Sequence, residues 1–260
     1  MADRIGARIN DKRGWSIFRL VQEMCSQERY ALDKLGDAQQ AREMTAENLW
    51  QHYQNLLAHS HVTFYYGGSA GVDRVGQAIA ASFAPLLRGR QAPVECQVLD
   101  KPPHSEVREV TDVLDVTQGK LALGFRTGGI AGNHPKMPAL MVCNALYGGT
   151  AHSNVREKMS LCYFASSLLD KIKGLMVVSS GVEFSKFSVA KEAILNQLEA
   201  IRQGEFTQEE LQAAIRSVVN ALVSRKDSQG MMEDDCVTVA LTGGDPTDVN
   251  NMAARVEQVT

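Results

Sequence analysis

Apolar side chains recur at helical spacing over residues 17–30, where Ile17, Leu20, Val21 and Met24 share one face. A second helix is predicted to open at Thr45, a residue suited to an N-cap, and to carry Leu49, Tyr53, Leu56 and Leu57. The period then changes. Residues 61–66, HVTFYY, are rich in β-formers and run into Gly67-Gly68, which predicts a strand followed by a turn. Residues 72–87 return to helical spacing through Val75, Ile79, Phe83 and Leu86.

Residues 88–105, with Pro93, Pro102 and Pro103, interrupt this pattern, because prolines in a polar context forbid helix and stiffen the crossing. A boundary there divides the chain into a unit 1–92, a linker 93–105 and a unit 106–260. Beyond it, residues 107–116 and 119–126 alternate like two antiparallel strands. Residues 138–147 read as a buried helix closed by Gly148-Gly149, and residues 162–166 and 174–182 read as two more strands. Two amphipathic helices follow. One runs through Phe187, Ile194, Leu198 and Ile201; the other opens with a capping box, Thr207 to Glu210, and continues through Leu211, Ile215, Val218 and Leu222. Strands grouped first and helices after, without βαβα alternation, predict an α+β fold: a mainly antiparallel sheet with helices packed on one face. The pattern is still under way at Thr260, so the second unit is expected to be incomplete at its C-terminal side.

Composition narrows the function classes. The 260 residues are 44% hydrophobic, enough to fill a core, and 22% charged, with a formal net charge of -3 and a pI near 6.1. That balance carries no electrostatic footprint for nucleic acid or an anionic membrane. Apolar runs such as residues 121–125 and 175–178 are far shorter than the roughly 20 residues of a membrane-spanning helix. The first fifteen residues spread their charges and lack the apolar stretch of a secretory signal, so a cytoplasmic location is expected. The five cysteines are scattered without a C-x-x-C pair, as reduced core thiols are.

Catalytic signatures are sparse. None of the six histidines, His52, His59, His61, His104, His134 and His152, has the spacing that puts two imidazoles on one helix face, and H-x-x-E-H is absent in either direction. No metal or other cofactor is therefore expected in this chain. There is no G-x-S-x-G elbow, and GFRTGG at residues 124–129 lacks the Lys-Ser/Thr ending of a phosphate loop. One constellation stands out, Arg156 and Tyr163, seven positions apart across a predicted helix end and strand. A guanidinium and a phenol converging on one cleft would both donate to a peptide carbonyl or its developing oxyanion, as metal-assisted hydrolysis requires. The same two residues would equally serve as a surface ion pair and a sheet-packing ring.

Residues 156–167 read R-E-K-x-S-L-x-Y-x-x-S-S and residues 173–183 read K-G-L-x-x-x-S-x-G-V-E. With G-x-x-T-x-x-E-L at residues 204–211 and L-G-x7-M-T-A-E-N-L-x-x-x-Y at residues 35–53, these strings resemble the pitrilysin/insulinase family of zinc peptidases, related to mitochondrial processing peptidase. The resemblance covers nearly the whole chain. It implies the LuxS/mitochondrial-processing-peptidase-like metallohydrolase fold, two similar α+β halves closing around a peptide. The first half of such a protein carries H-x-x-E-H and the second carries an Arg/Tyr pair, which Arg156 and Tyr163 match. This chain would then be an interior piece, holding the end of the first half and most of the second. Ser160 stands where the usual motif, R-E-K-x-G-L-x-Y, has glycine, and this resembles the bacterial subgroup lacking the zinc motif. Between Gly149 and Arg156 the chain also lacks the family's Leu-Phe anchor.

The resemblance thus implies a non-catalytic peptidase-like domain that binds a peptide or partner protein through Arg156 and Tyr163, inactive alone. The alternative it leaves is the carbonyl-holding half of an active zinc endopeptidase whose H-x-x-E-H lies elsewhere. Expected partners are a peptide or protein substrate and another peptidase-like half or homologous subunit, as in a dimer; zinc would enter only with a missing or partner half.

Overall fold

The computed structural model describes residues 1–86, 106–151, 154–155, 159–242 and 248–260. Its helices are α1 Ala2–Gly6, α2 Lys12–Met24, α3 Ala38–Glu43, α4 Ala46–His59, α5 Val72–Phe83, α6 Met137–Ala151, α7 Phe187–Arg202, α8 Gln208–Arg225, α9 Gln229–Leu241 and α10 Asp248–Glu257. Its strands are β1 Gly119–Arg126, β2 Cys162–Asp170 and β3 Leu175–Val182, antiparallel throughout in the order β1-β3-β2. This is the α+β architecture that the grouping of strands and helices predicts.

The central strand, β3, is buried along its whole length. Its even positions, Met176, Val178 and Val182, join Leu121, Ala165, Tyr147 of α6 and Ala190, Ala193 and Ile194 of α7 in one core. On the opposite face α2 crosses β1. Gly124 makes that crossing possible: a Cβ there would lie 2.0 Å from Met24 Sδ. The β2–β3 turn needs Gly174 twice over, because its φ is +71° and a Cβ would meet Thr127 Oγ1 at 2.9 Å.

Helix α6 is apolar all round because it is covered on both sides. Tyr147 faces the sheet core, where its hydroxyl donates to the Ile194 carbonyl at 3.0 Å, and burial pushes its pKa up. Met137, Met141, Val142 and Leu146 pack instead against Leu211, Ala214, Ile215 and Val218 of α8 and Val256 of α10. The predicted capping box of α8 forms in full: Thr207 Oγ1 accepts from the Glu210 N–H and the Glu210 carboxylate accepts from the Thr207 N–H. Thr45 likewise caps α4 by accepting from the Asn48 N–H.

Three local expectations are corrected. Gly148-Gly149 does not end α6, which continues to Ala151; a Cβ at Gly148 would press on Ser167 Oγ at 3.1 Å, so this glycine serves close helix–strand approach. Residues 61–66 form no strand, since no ladder partner lies beside them among the described residues; Phe64 sets its ring edge-on to Phe83 at 4.9 Å. Residues 107–116 also stay outside the sheet. Their alternation turns Val107 and Val113 to solvent, 93% and 92% exposed, while Arg108 pairs with Glu23 and Asp112 accepts from Trp15 and Arg19. Side-chain bonds to α2 hold this segment in place of a backbone ladder. The predicted linker, residues 93–105, lies outside the described residues.

Candidate functional site

Tyr163 owes its position to an irregularity in β2. Cys162 is opposite Val182 and Phe164 is opposite Gly181, so Tyr163 is an extra residue at a β-bulge. Bulges re-aim a side chain out of the alternation of the strand. Tyr163 is 51% exposed, and its hydroxyl donates to Glu183 Oε1 across a long 3.4 Å, while Glu183 Oε2 pairs with Lys186 Nζ at 3.4 Å. The phenol has a single O–H, so it donates to a ligand carbonyl by exchanging the long bond to Glu183 for a shorter one, and its exposure leaves room for that exchange.

The approach to β2 is fixed by backbone bonds. Val155 is fully buried, its carbonyl accepts from the Leu161 N–H at 3.1 Å, and the Asn154 carbonyl accepts from the Met159 N–H at 3.0 Å. Between them and the strand, Ser160 has φ +51°, the one positive value outside glycine among the described residues. This is the position where the family motif carries glycine, and the reason is visible here: the turn into β2 requires the left-handed region. Arg156 lies outside the described residues, so the pairing of Arg156 with Tyr163 is not placed.

Beside Tyr163, on the α2 face, Arg13 lays its guanidinium 4.4 Å from the centre of the Phe164 ring and donates from Nη2 to Ser166 Oγ at 2.8 Å. Phe164 in turn covers Gly181, where a Cβ would sit 2.7 Å from the ring. The sequence offered no signal for this contact, which spans 153 positions. Glu183 was legible as the last residue of the K-G-L motif, but nothing in the spacing tied it to Tyr163.

At the far end of the sheet a buried ionic cluster ties the N-terminal segment down. Glu28 accepts from Arg126 Nη2 at 2.8 Å and pairs with Lys173, with side-chain exposures of 6%, 14% and 4%. Burial alone would raise the Glu28 pKa, but the bonds from Lys173 and Arg126 outweigh it and hold the carboxyl below its ordinary range. The fully buried Cys25 thiol is pushed up by burial and then by the Glu28 charge. The Tyr30 hydroxyl donates to Asp170, closing the cluster onto the end of β2.

Among the described residues, no three His, Cys, Asp or Glu side chains come together as a metal site, and no helix is long and apolar enough to cross a membrane. His59 Nδ1 bonds the Asn55 carbonyl and His134 Nδ1 accepts from the Lys136 N–H, both local roles; His104 and His152 lie outside the described residues.

Residues 43–218 match the family described as "Peptidase M16 inactive domain". The chain is 36% identical over 226 residues to the "Probable inactive metalloprotease YmfF" of Bacillus subtilis (strain 168), covering 84% of this chain and 52% of that protein. It therefore spans about half the length of that curated relative. A conserved protein from Enterococcus faecalis V583 superposes with a TM-score of 0.84 at 24% identity, over 100% of this chain and 61% of that one. A peptidase M16 inactive domain from Pseudomonas fluorescens does so with a TM-score of 0.71 at 18% identity, over 95% of this chain and 60% of that one.

Proposed function

The chain belongs to the peptidase M16 family as an inactive-type, peptidase-like domain, and from that premise we propose that it binds an extended peptide or partner protein through Tyr163 and Arg156 rather than cleaving one. The observation that carries this reading is the Tyr163 hydroxyl, presented to solvent by a bulge and held by a single 3.4 Å contact. An exposed phenol on a strand can donate to a peptide carbonyl in the ground state, without any metal-bound water. Arg156, matched to the family motif, supplies the charge-assisted donor of the pair.

A homologous half or subunit is the second partner in this reading. Its support is the row of exposed apolar and aromatic side chains on α4 and after it, including Leu49, Trp50, Tyr53, Phe64 and Tyr66.

Titration of the 260-residue chain with a peptide selected against it by display tests the site. Tyr163→Phe should weaken binding by about 0.5–1.5 kcal/mol, the net worth of one hydrogen bond, and Arg156→Ala by more. Both variants should melt as the parent does. Unchanged affinity in folded Tyr163→Phe and Arg156→Ala would remove the pair from the binding site.

A further inference from the structure

Strand β2 is an edge of the sheet, and beside its outer side runs a groove walled by α6, α8 and the start of α9. The groove has a volume of about 690 Å³ and continues into a second hollow of about 500 Å³ beside Gly148, Gly149 and Ala165. It follows β2 from Ala165 and reaches Lys171 just past the strand's end, roughly 20 Å at about 3.3 Å per residue. No strand pairs with this edge among the described residues, so its backbone donors and acceptors are open to an added strand.

Three features of the groove point to its occupant. Its floor is apolar, with Met141, Leu169, Val218, Leu222 and Met231. Asn144, which lines both hollows, has its Oδ1 buried without a hydrogen-bond donor, an unmet acceptor that meets a ligand N–H once the amide turns toward the groove. At one end stands Lys171. Arg225 beside it is neutralised by a bidentate pair with Asp235, at 2.6–3.1 Å, whereas neither Lys171 nor the nearby Asp227 forms an ion pair among the described residues. Lys171 is itself exposed, so an incoming carboxylate can reach its ammonium.

We propose that this groove takes an extended peptide that adds as a strand to the outer edge of β2, seats alternate apolar side chains against α8, and places an acidic side chain on Lys171. The main-chain ladder supplies affinity and the pockets supply selectivity, as in other strand-addition interfaces. The proposal rests on the peptide-binding reading above and extends it from Tyr163, at the start of β2, along the whole strand.

The test uses the 260-residue chain and end-blocked, fluorescent heptapeptides alternating valine and threonine, with glutamate, glutamine or lysine at the first or last position. One glutamate peptide should bind saturably and about tenfold more tightly than its glutamine counterpart, the scale of one charge-assisted contact. Lys171→Glu should reverse the order in favour of the lysine peptide, and hydrogen exchange should slow over residues 165–170 when the peptide saturates. Equal binding of all three peptides, or protection confined to other segments, overturns the proposal. So does a concentration-dependent dimer that the peptides cannot displace, which would assign the edge to a second copy of the chain. If no heptapeptide binds while the display-selected peptide still responds to Tyr163→Phe, the groove assignment falls and the peptide-binding reading stands; if neither ligand binds, both fall.

Discussion

The body built from β1–β3, α6, α7, α8 and α10 and the segment from α4 to α5 are both rich in apolar residues, yet they end in opposite states. In the body, Tyr147, Val178, Val182 and Ile194 are at most 1% exposed, and α6 is covered on two sides. In the segment no residue of α4 or α5 is buried, and Trp50 remains 59% exposed although its ring rests 5.7 Å from Tyr53. Hydrophobic content is therefore not what separates them. The body has facing elements of matching shape, whereas α4 has caps and helical spacing but little to pack against. Burial of a large apolar side chain contributes about 1.5–3 kcal/mol, and the segment forgoes most of it.

Truncating the two aromatic residues that typify the regions gives the sharpest contrast. Tyr147→Ala should lower unfolding stability by about 3–5 kcal/mol, since it opens a cavity between α6 and α7 and removes the donor to the Ile194 carbonyl. Urea denaturation, with the folded fraction followed by circular dichroism, measures this. A loss below about 1 kcal/mol would mean that the sheet core is not the seat of stability.

The ionic cluster joining the N-terminal segment to the body comes next. Glu28→Gln should cost about 3 kcal/mol at neutral pH, because Arg126 and Lys173 would keep their burial and lose their counter-charge. Glu28 has a folded pKa below its ordinary 4.5, so its contribution is complete above that pH and disappears as pH falls through the folded value. Parent and variant should thus converge in acid. A gap that persists unchanged to low pH would show that Glu28 acts by packing and not by charge.

Ser160→Gly acts in the opposite direction. Relieving a side chain at φ +51° should stabilise the chain by about 1 kcal/mol, and a thermal melt would register the gain. The smallest effect belongs to the segment: Trp50→Ala should leave stability within about 0.5 kcal/mol, as expected of an exposed site. A loss as large as that of Tyr147→Ala would erase the distinction between the regions.

The helices of both regions were legible in the sequence because caps and spacing are local. Thr45 and Thr207 announce α4 and α8 by the side-chain oxygen that each offers. The strands were legible only where a partner exists. Residues 61–66 are richer in β-forming residues than 119–126, but a ladder needs a second strand, and only the latter finds one, in β3. The Arg156/Tyr163 motif named the strand on which Tyr163 sits. The bulge that aims Tyr163, its acceptor Glu183 and the Arg13 contact to Phe164 were not readable, because each depends on side chains brought together by the tertiary fold. The left-handed turn was not readable either, since serine in place of the family glycine marks only a likeness to the zinc-less subgroup until the backbone at Ser160 is seen.

The bulge at Tyr163 has an evolutionary side. Because Cys162 and Phe164 already occupy adjacent rungs opposite Val182 and Gly181, the parity of β2 does not depend on what stands between them. A position outside the two-residue repeat is free of the core's veto: substitution there neither swaps the faces of the strand nor opens a cavity. Selection can therefore change the side chain presented at this point, one residue at a time, while the sheet beneath it stays the same.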